Sequence, residues 1–234
     1  MIHPLGRKTP PDWEHVDKYP LRSLTPTAPV TVETVLSLPR YRTFYDQGQD
    51  GACVGFSSSW MLSIQRRRKF DARWLYHQAQ LVDGDPSTPP AEGTLVRAGF
   101  DVLRDQGPMD WVKSTDVGPV AAQGLTANRW ATTVDEVRAA FALGVPVVFG
   151  INWYTAFDKP IRFNGEWWIE PHDDFLGTIR GGHAICAFGC SDKRGAVKLV
   201  NSWGAKAYPL VWMRYSVIER LLSEDGECAV PVDR

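Results

Sequence analysis

The chain changes periodicity near Val145, and this change restricts its fold more than any other feature. Before that point apolar residues recur at helical spacing. Phe56, Trp60 and Ile64, with Met61 beside them, share one face of a helix expected from Cys53 to Phe70. Further helices are expected from Ala72 to Val82, capped by Asp71, and from Thr94 to Gln106, stopped by Gly107. Thr133-x-x-Glu136 has capping-box spacing and opens a helix to Leu143. Beyond it, β-branched and aromatic runs at Val145–Tyr154, Glu166–Glu170, His183–Phe188, Val197–Asn201 and Leu210–Tyr215 read as strands. Ser216-x-x-Glu219 reads as the cap of a last short helix. Helices first and strands second define an α+β chain. A helical first lobe is expected over residues 41–120 and a strand-rich second lobe over 121–234.

Residues 1–40 differ from both. Pro4, Pro10, Pro11, Pro20, Pro26, Pro29 and Pro39 remove donors and fix φ, so an extended arm is expected there. Asp83–Pro90 reads as a loop. The 234 residues suit one large domain or two small lobes. The formal net charge of −1 argues against a broad attraction to nucleic acid or to an anionic membrane. The dense basic run Arg66-Arg67-Arg68-Lys69 reads as the solvated end of a helix. No apolar stretch is long enough to span a bilayer, and the first residues lack a signal-peptide core. A cytoplasmic location with reduced thiols is therefore expected for Cys53, Cys186, Cys190 and Cys228. A virion or a host cell is the alternative setting. A Cys190–Cys228 disulfide is left open.

The chemistry centres on Cys53. It follows the turn-forming loop Gln47-Gly48-Gln49-Asp50-Gly51 and starts a helix, whose N-terminus favours a thiolate. A thiol there still needs a base from elsewhere. His183, after Gly181-Gly182 and at the start of an apolar run, is the candidate. Asn201, ending an adjacent strand, is placed to orient the imidazole, with Trp203 shielding their hydrogen bond. An oxyanion would find donors in the Cys53 N–H and the Gln47 side-chain amide. Cys186 falls on the opposite strand face from His183, which disfavours a shared metal, and no cofactor is expected. His3, His15, His77 and His172 read as surface or satisfied polar residues, and Trp153 as packing.

These residues carry a resemblance. Gln47 to Cys53 resembles the Gln-Gly-x-x-Gly-[Ser/Ala]-Cys signature of papain-like (C1) cysteine peptidases. Gly182-His183-Ala184 resembles that family's histidine motif, and Asn201-Ser202-Trp203-Gly204 is similar to its Asn-Ser-Trp-Gly motif at every position. His183 and Asn201 lie 130 and 148 residues after Cys53, within the family's spacing. The resemblance covers most of residues 39–215. It implies a two-lobe papain-like fold, with a helical first lobe, an antiparallel β-barrel-like second lobe and the cleft between them. It also implies peptide or protein substrates, a thioester acyl-enzyme and no metal. Gly93 would line the cleft wall. Gly150 and Ala184 would lie near the second subsite, leaving room for an apolar or aromatic side chain. Trp203 is counted among the substrate contacts. Asp50 stands where many secreted relatives have a disulfide cysteine, and their long pro-domain has no counterpart in length.

Two other functions compete. One is a papain-fold structural or binding module, for instance of a virion, whose site the proline-rich arm occludes. The other is a thiol amidase or acyltransferase acting on cell-wall peptides.

Overall fold

The computed structural model describes residues 3–21, 31–39, 44–84, 92–111, 124–170 and 176–233. The arm contributes a short helix α1 (Glu14–Lys18) and a strand β1 (Glu33–Val35), so it is not extended throughout. Three helices follow: α2 (Cys53–Arg66), α3 (Ala72–Val82) and α4 (Val96–Asp105). Then come β2 (Ala127–Ala131), α5 (Val134–Ala142), β3 (Val147–Tyr154), β4 (Ile161–Phe163) and β5 (Glu166–Ile169). The long β6 (Ile179–Ser191), β7 (Ala196–Val200), β8 (Leu210–Arg214), α6 (Tyr215–Ser223) and β9 (Glu227–Val232) follow, and a 3₁₀ turn at Thr155–Asp158 links β3 to β4.

Local chemistry explains most boundaries. The Asp71 carboxylate accepts from the N–H groups of Arg73 and Trp74, capping α3 as expected. Thr133 accepts from the Glu136 N–H at the start of α5, while the Glu136 carboxylate takes the N–H of Thr132. The helix from Cys53 stops at Arg66, four residues before Phe70. Arg67 turns left-handed at φ 60° and its N–H returns to the Ser63 carbonyl. Ser216 does not cap α6: the helix begins at Tyr215, one residue earlier, and Arg214 occupies the cap position without a side-chain bond. The basic run is spent within the chain. Arg66 pairs with Asp233 and Arg68 with Asp110, and Lys69 lies over the Trp111 ring. Of the Asp83–Pro90 loop, residues 85–90 lie outside the described residues, as does His172.

The strands form one mostly antiparallel sheet in the order β2-β9-β3-β6-β7-β8-β5-β4, with β1 added to β6 and only the β5–β8 pair parallel. Its central strands are buried on both faces. Ile185 and Ala187 of β6, with Val147, Phe149 and Ile151 of β3, pack in the core that takes up α5 and α6. The alternate residues Ala184, Cys186 and Phe188, with Val148, pack in the core under α2 and α4. Such two-sided burial gives continuous apolar runs in place of alternation. Each large side chain withdrawn from water in this way contributes about 1.5–3 kcal/mol. The consequence for function is positional: the start of α2 is pressed directly against the strand that carries His183.

Candidate active site

Three chain segments meet at the start of α2. Cys53 is the first helical residue and is wholly buried. Its sulfur accepts the Ala184 N–H at 3.3 Å, so the thiol touches β6 one residue from His183. His183 is equally buried, and its Nε2 lies 3.0 Å from Asn201 Oδ1. That oxygen also accepts the Ser202 N–H at 2.9 Å, which identifies it as the amide oxygen and makes Nε2 the donor. In the neutral ring Nδ1 is then the basic nitrogen. It is buried and has no hydrogen-bond partner among the described residues. Trp153 lies against the imidazole at 4.7 Å and Trp203 at 4.8 Å, so two indoles exclude water from the His183–Asn201 bond. The shielding expected of Trp203 is thus shared with Trp153, which sequence reasoning had assigned to packing alone.

Gln47 is held by the Asn-Ser-Trp-Gly segment. Its backbone N–H bonds the Ser202 carbonyl at 2.8 Å, and its Oε1 accepts the Ser202 hydroxyl at 2.8 Å. The side-chain orientation is therefore fixed, with Nε2 facing the carbonyls of Asp50 at 2.8 Å and Pro4 at 3.3 Å. Ser202 was missed as a positioning residue. Its place between two motif residues was the available signal. Asp50, at the position of a disulfide cysteine in secreted relatives, instead pairs with Arg73. All four cysteines are free, and no cluster able to hold a metal occurs among the described residues.

The arm runs straight through this site as a strap. The Gly6 N–H lies near enough to the Cys53 sulfur to favour its thiolate, and the Gly6 carbonyl accepts the Thr94 N–H at 2.9 Å. The Arg7 N–H bonds the Gly182 carbonyl at 3.0 Å, and the Lys8 N–H bonds the Thr94 carbonyl at 2.9 Å. His3 stacks on Trp203 with ring centres 4.7 Å apart. The contact is intimate enough to require glycine. A Cβ at Gly6 would lie 1.7 Å from the Gly51 oxygen, and one at Gly182 would lie 2.1 Å from the Arg7 oxygen. Gly93, expected on the cleft wall, faces the Gly6 carbonyl. Arg7 is anchored by the buried carboxylate of Glu227 at 3.3 Å. Removing one partner from such a buried pair costs about 3–5 kcal/mol, so the strap is firmly held.

Closure sets the protonation states. Burial pushes the Cys53 thiol up to about 11, against the pull of the N–H groups of Ala184, Gly6 and the helix start. Burial likewise pushes the His183 imidazole down to about 3, and the bond to Asn201 only partly offsets this. At neutral pH the closed site therefore holds a neutral thiol and a neutral imidazole. Alkylation of Cys53 by iodoacetamide in the closed chain should rise about tenfold per pH unit from pH 7 to 10, following the thiolate fraction. A labelling plateau below pH 7 would mean that the strap does not fill the cleft in solution.

Comparison with family models finds no match. A protein of Acanthamoeba polyphaga mimivirus described as an uncharacterized peptidase C1-like protein is 22% identical over 202 residues, 74% of this chain and 63% of that relative. The chain thus spans less than two thirds of that relative's length. Xylellain, a cysteine protease from Xylella fastidiosa, superposes with a TM-score of 0.73 at 19% identity, covering 99% of this chain and 97% of its own. The procathepsin B S9 of Trypanosoma congolense gives 0.67 at 14% identity, covering 97% and 86%. The fold is that of papain-like cysteine proteases. The chain resembles C1 peptidases in both its motifs and its architecture. No helix among the described residues is long and apolar enough to cross a membrane.

Proposed function

We propose that this chain is a cysteine endopeptidase acting on peptide or protein substrates, held in a latent state by its own strap. The observation that carries the reading is the buried Nδ1 of His183, without a partner among the described residues, on a ring fixed by Asn201 on the far side and one residue from the N–H that bonds the Cys53 sulfur. Once the strap leaves, water returns to the cleft and the desolvation that keeps both groups neutral is relieved. The Cys53 sulfur attacks the scissile carbonyl as its proton passes to His183 Nδ1. The oxyanion is stabilised by the Cys53 N–H and by the Gln47 Nε2–H that now faces Pro4. Collapse expels the amine, which takes the proton from His183, and leaves a thioester on Cys53. Water, deprotonated by the same nitrogen, hydrolyses the thioester and restores the thiol. The strap threads the cleft from Trp203 past the sulfur to Thr94, and a groove that seats an extended segment on both sides of Cys53 supports cleavage within a chain.

Asn201 orients the base without reacting. Asn201→Ala should lower kcat by roughly 10²-fold on a fluorogenic peptide, with KM little changed. Loss as complete as that of Cys53→Ala, in a folded protein, would contradict this division of roles.

A second reading rests on the same strap. A papain-fold module whose cleft is permanently filled would show these contacts too. Turnover of any peptide substrate after strap displacement decides between them.

A further inference from the structure

Resting on the peptidase reading, we propose that Glu227 makes the subsite beside Cys53 selective for a basic side chain, arginine above all. The strap displays the recognition. Gly6 sits at the sulfur, and the next residue, Arg7, sends its side chain into a pocket where it is wholly buried. There Nε and one terminal nitrogen lie 3.3 Å from Glu227 Oε1, and the terminal nitrogen also donates to the Asp225 carbonyl at 2.7 Å. These acceptors belong to the body of the protein, at the start of β9. Glu227 pairs in register with Gly150 of β3, and a Cβ at Gly150 would come within 2.9 Å of the Glu227 side chain. The glycine expected to leave space for an apolar substrate group leaves it for a carboxylate.

The other partner of Glu227 also comes from the arm. His15 of α1 lies with Nε2 3.3 Å from Glu227 Oε2. When the arm withdraws, both partners leave with it. The pocket is then lined by a carboxylate and a carbonyl, separated from the reacting sulfur by one residue of extended chain. A neutral occupant would leave that carboxylate unpaired in a site of low polarity, whereas a guanidinium restores both bonds. Lysine, a single point donor, fills the pocket less well than the forked guanidinium. Arg7 is thus the chain's own occupant of a substrate pocket.

The test compares peptidyl vinyl sulfones that differ only at the residue two places before the warhead: arginine, lysine, leucine or glutamate. Second-order rates of Cys53 modification are read by intact mass on the full chain, wild type and Glu227→Gln. Ratios taken within one protein are independent of the fraction of open cleft. The arginine probe should react at least tenfold faster than the leucine probe in wild type, with roughly the same margin over glutamate. In Glu227→Gln the arginine-to-leucine ratio should fall toward about one. Equal or faster reaction of the leucine probe in wild type would overturn the specificity while leaving the peptidase reading intact. An unchanged ratio in folded Glu227→Gln would do the same. No adduct from any probe, on wild type and on the strap-displacing Gly6→Val alike, would overturn the peptidase reading and the proposal with it. Should Glu227→Gln not fold, the wild-type ratios still decide, and so do those of Arg7→Leu, which withdraws the guanidinium from the pocket and leaves the Glu227 side chain in place.

Discussion

Cys53→Ala should abolish turnover, with a loss of at least ~10⁴-fold in kcat/KM, because no other side chain in the site forms a covalent bond to substrate. The fold should survive. Cys53 is buried, and the change removes one sulfur that accepts the Ala184 N–H while keeping the Cβ in place. A destabilisation of about 1 kcal/mol is the expected scale, readable as a small shift in Tm. Retention of more than about a hundredth of wild-type activity in a protein with unchanged circular dichroism would remove Cys53 from the reaction.

The opposite sign is expected at Gly6. Gly6→Val places a Cβ 1.7 Å from a backbone oxygen of Gly51 and 2.5 Å from its Cα. Neither atom belongs to a flexible side chain, so the clash is relieved only if the strap leaves the cleft. The anchors opposing departure are substantial: the buried Arg7–Glu227 pair and the bonds of Gly6 and Lys8 to Thr94, each backbone bond a net ~1 kcal/mol. A hard overlap of two backbone atoms exceeds that sum. Peptide turnover and Cys53 labelling at pH 7 should both rise by at least tenfold, and the labelling plateau should move to lower pH as the thiol is rehydrated. Unchanged turnover in folded Gly6→Val would show that the strap does not limit access.

The parts that can be read from the sequence are those whose determinants lie close together in it. Asp71 and Thr133 announce their helices because a cap acts within three residues. The strands β3 and β6 to β8 are legible from β-branched runs. β9 was not, because Glu-Cys-Ala-Val-Pro-Val places a carboxylate and a proline in what proves to be a buried strand. β1 and β4, three residues each, carry too little pattern. At the site, the three motifs name Gln47, Cys53, His183 and Asn201, and the fold sets Cys53 against Ala184, His183 against Asn201 and Gln47 against Ser202. What could not be read was the arm's use. His3 and His15 look like surface residues and Arg7 like a solvated charge. Their roles depend on Trp203, Glu227 and Asp225, some two hundred residues away, and only packing brings them together. Arm occlusion was inferable from the prolines, but the pocket that Arg7 fills was not.

The central claim is that Cys53 is an activated nucleophile behind a removable strap. Its most direct measurement is intact mass after a short exposure at pH 7 to a peptidyl epoxide inhibitor, made on wild type, Gly6→Val and Gly6→Val/Cys53→Ala. The account predicts one adduct that forms slowly in wild type, quickly in Gly6→Val, and not at all once Cys53 is replaced. Equal, rapid labelling of wild type and Gly6→Val, or an adduct that persists in the Cys53→Ala protein, would contradict it.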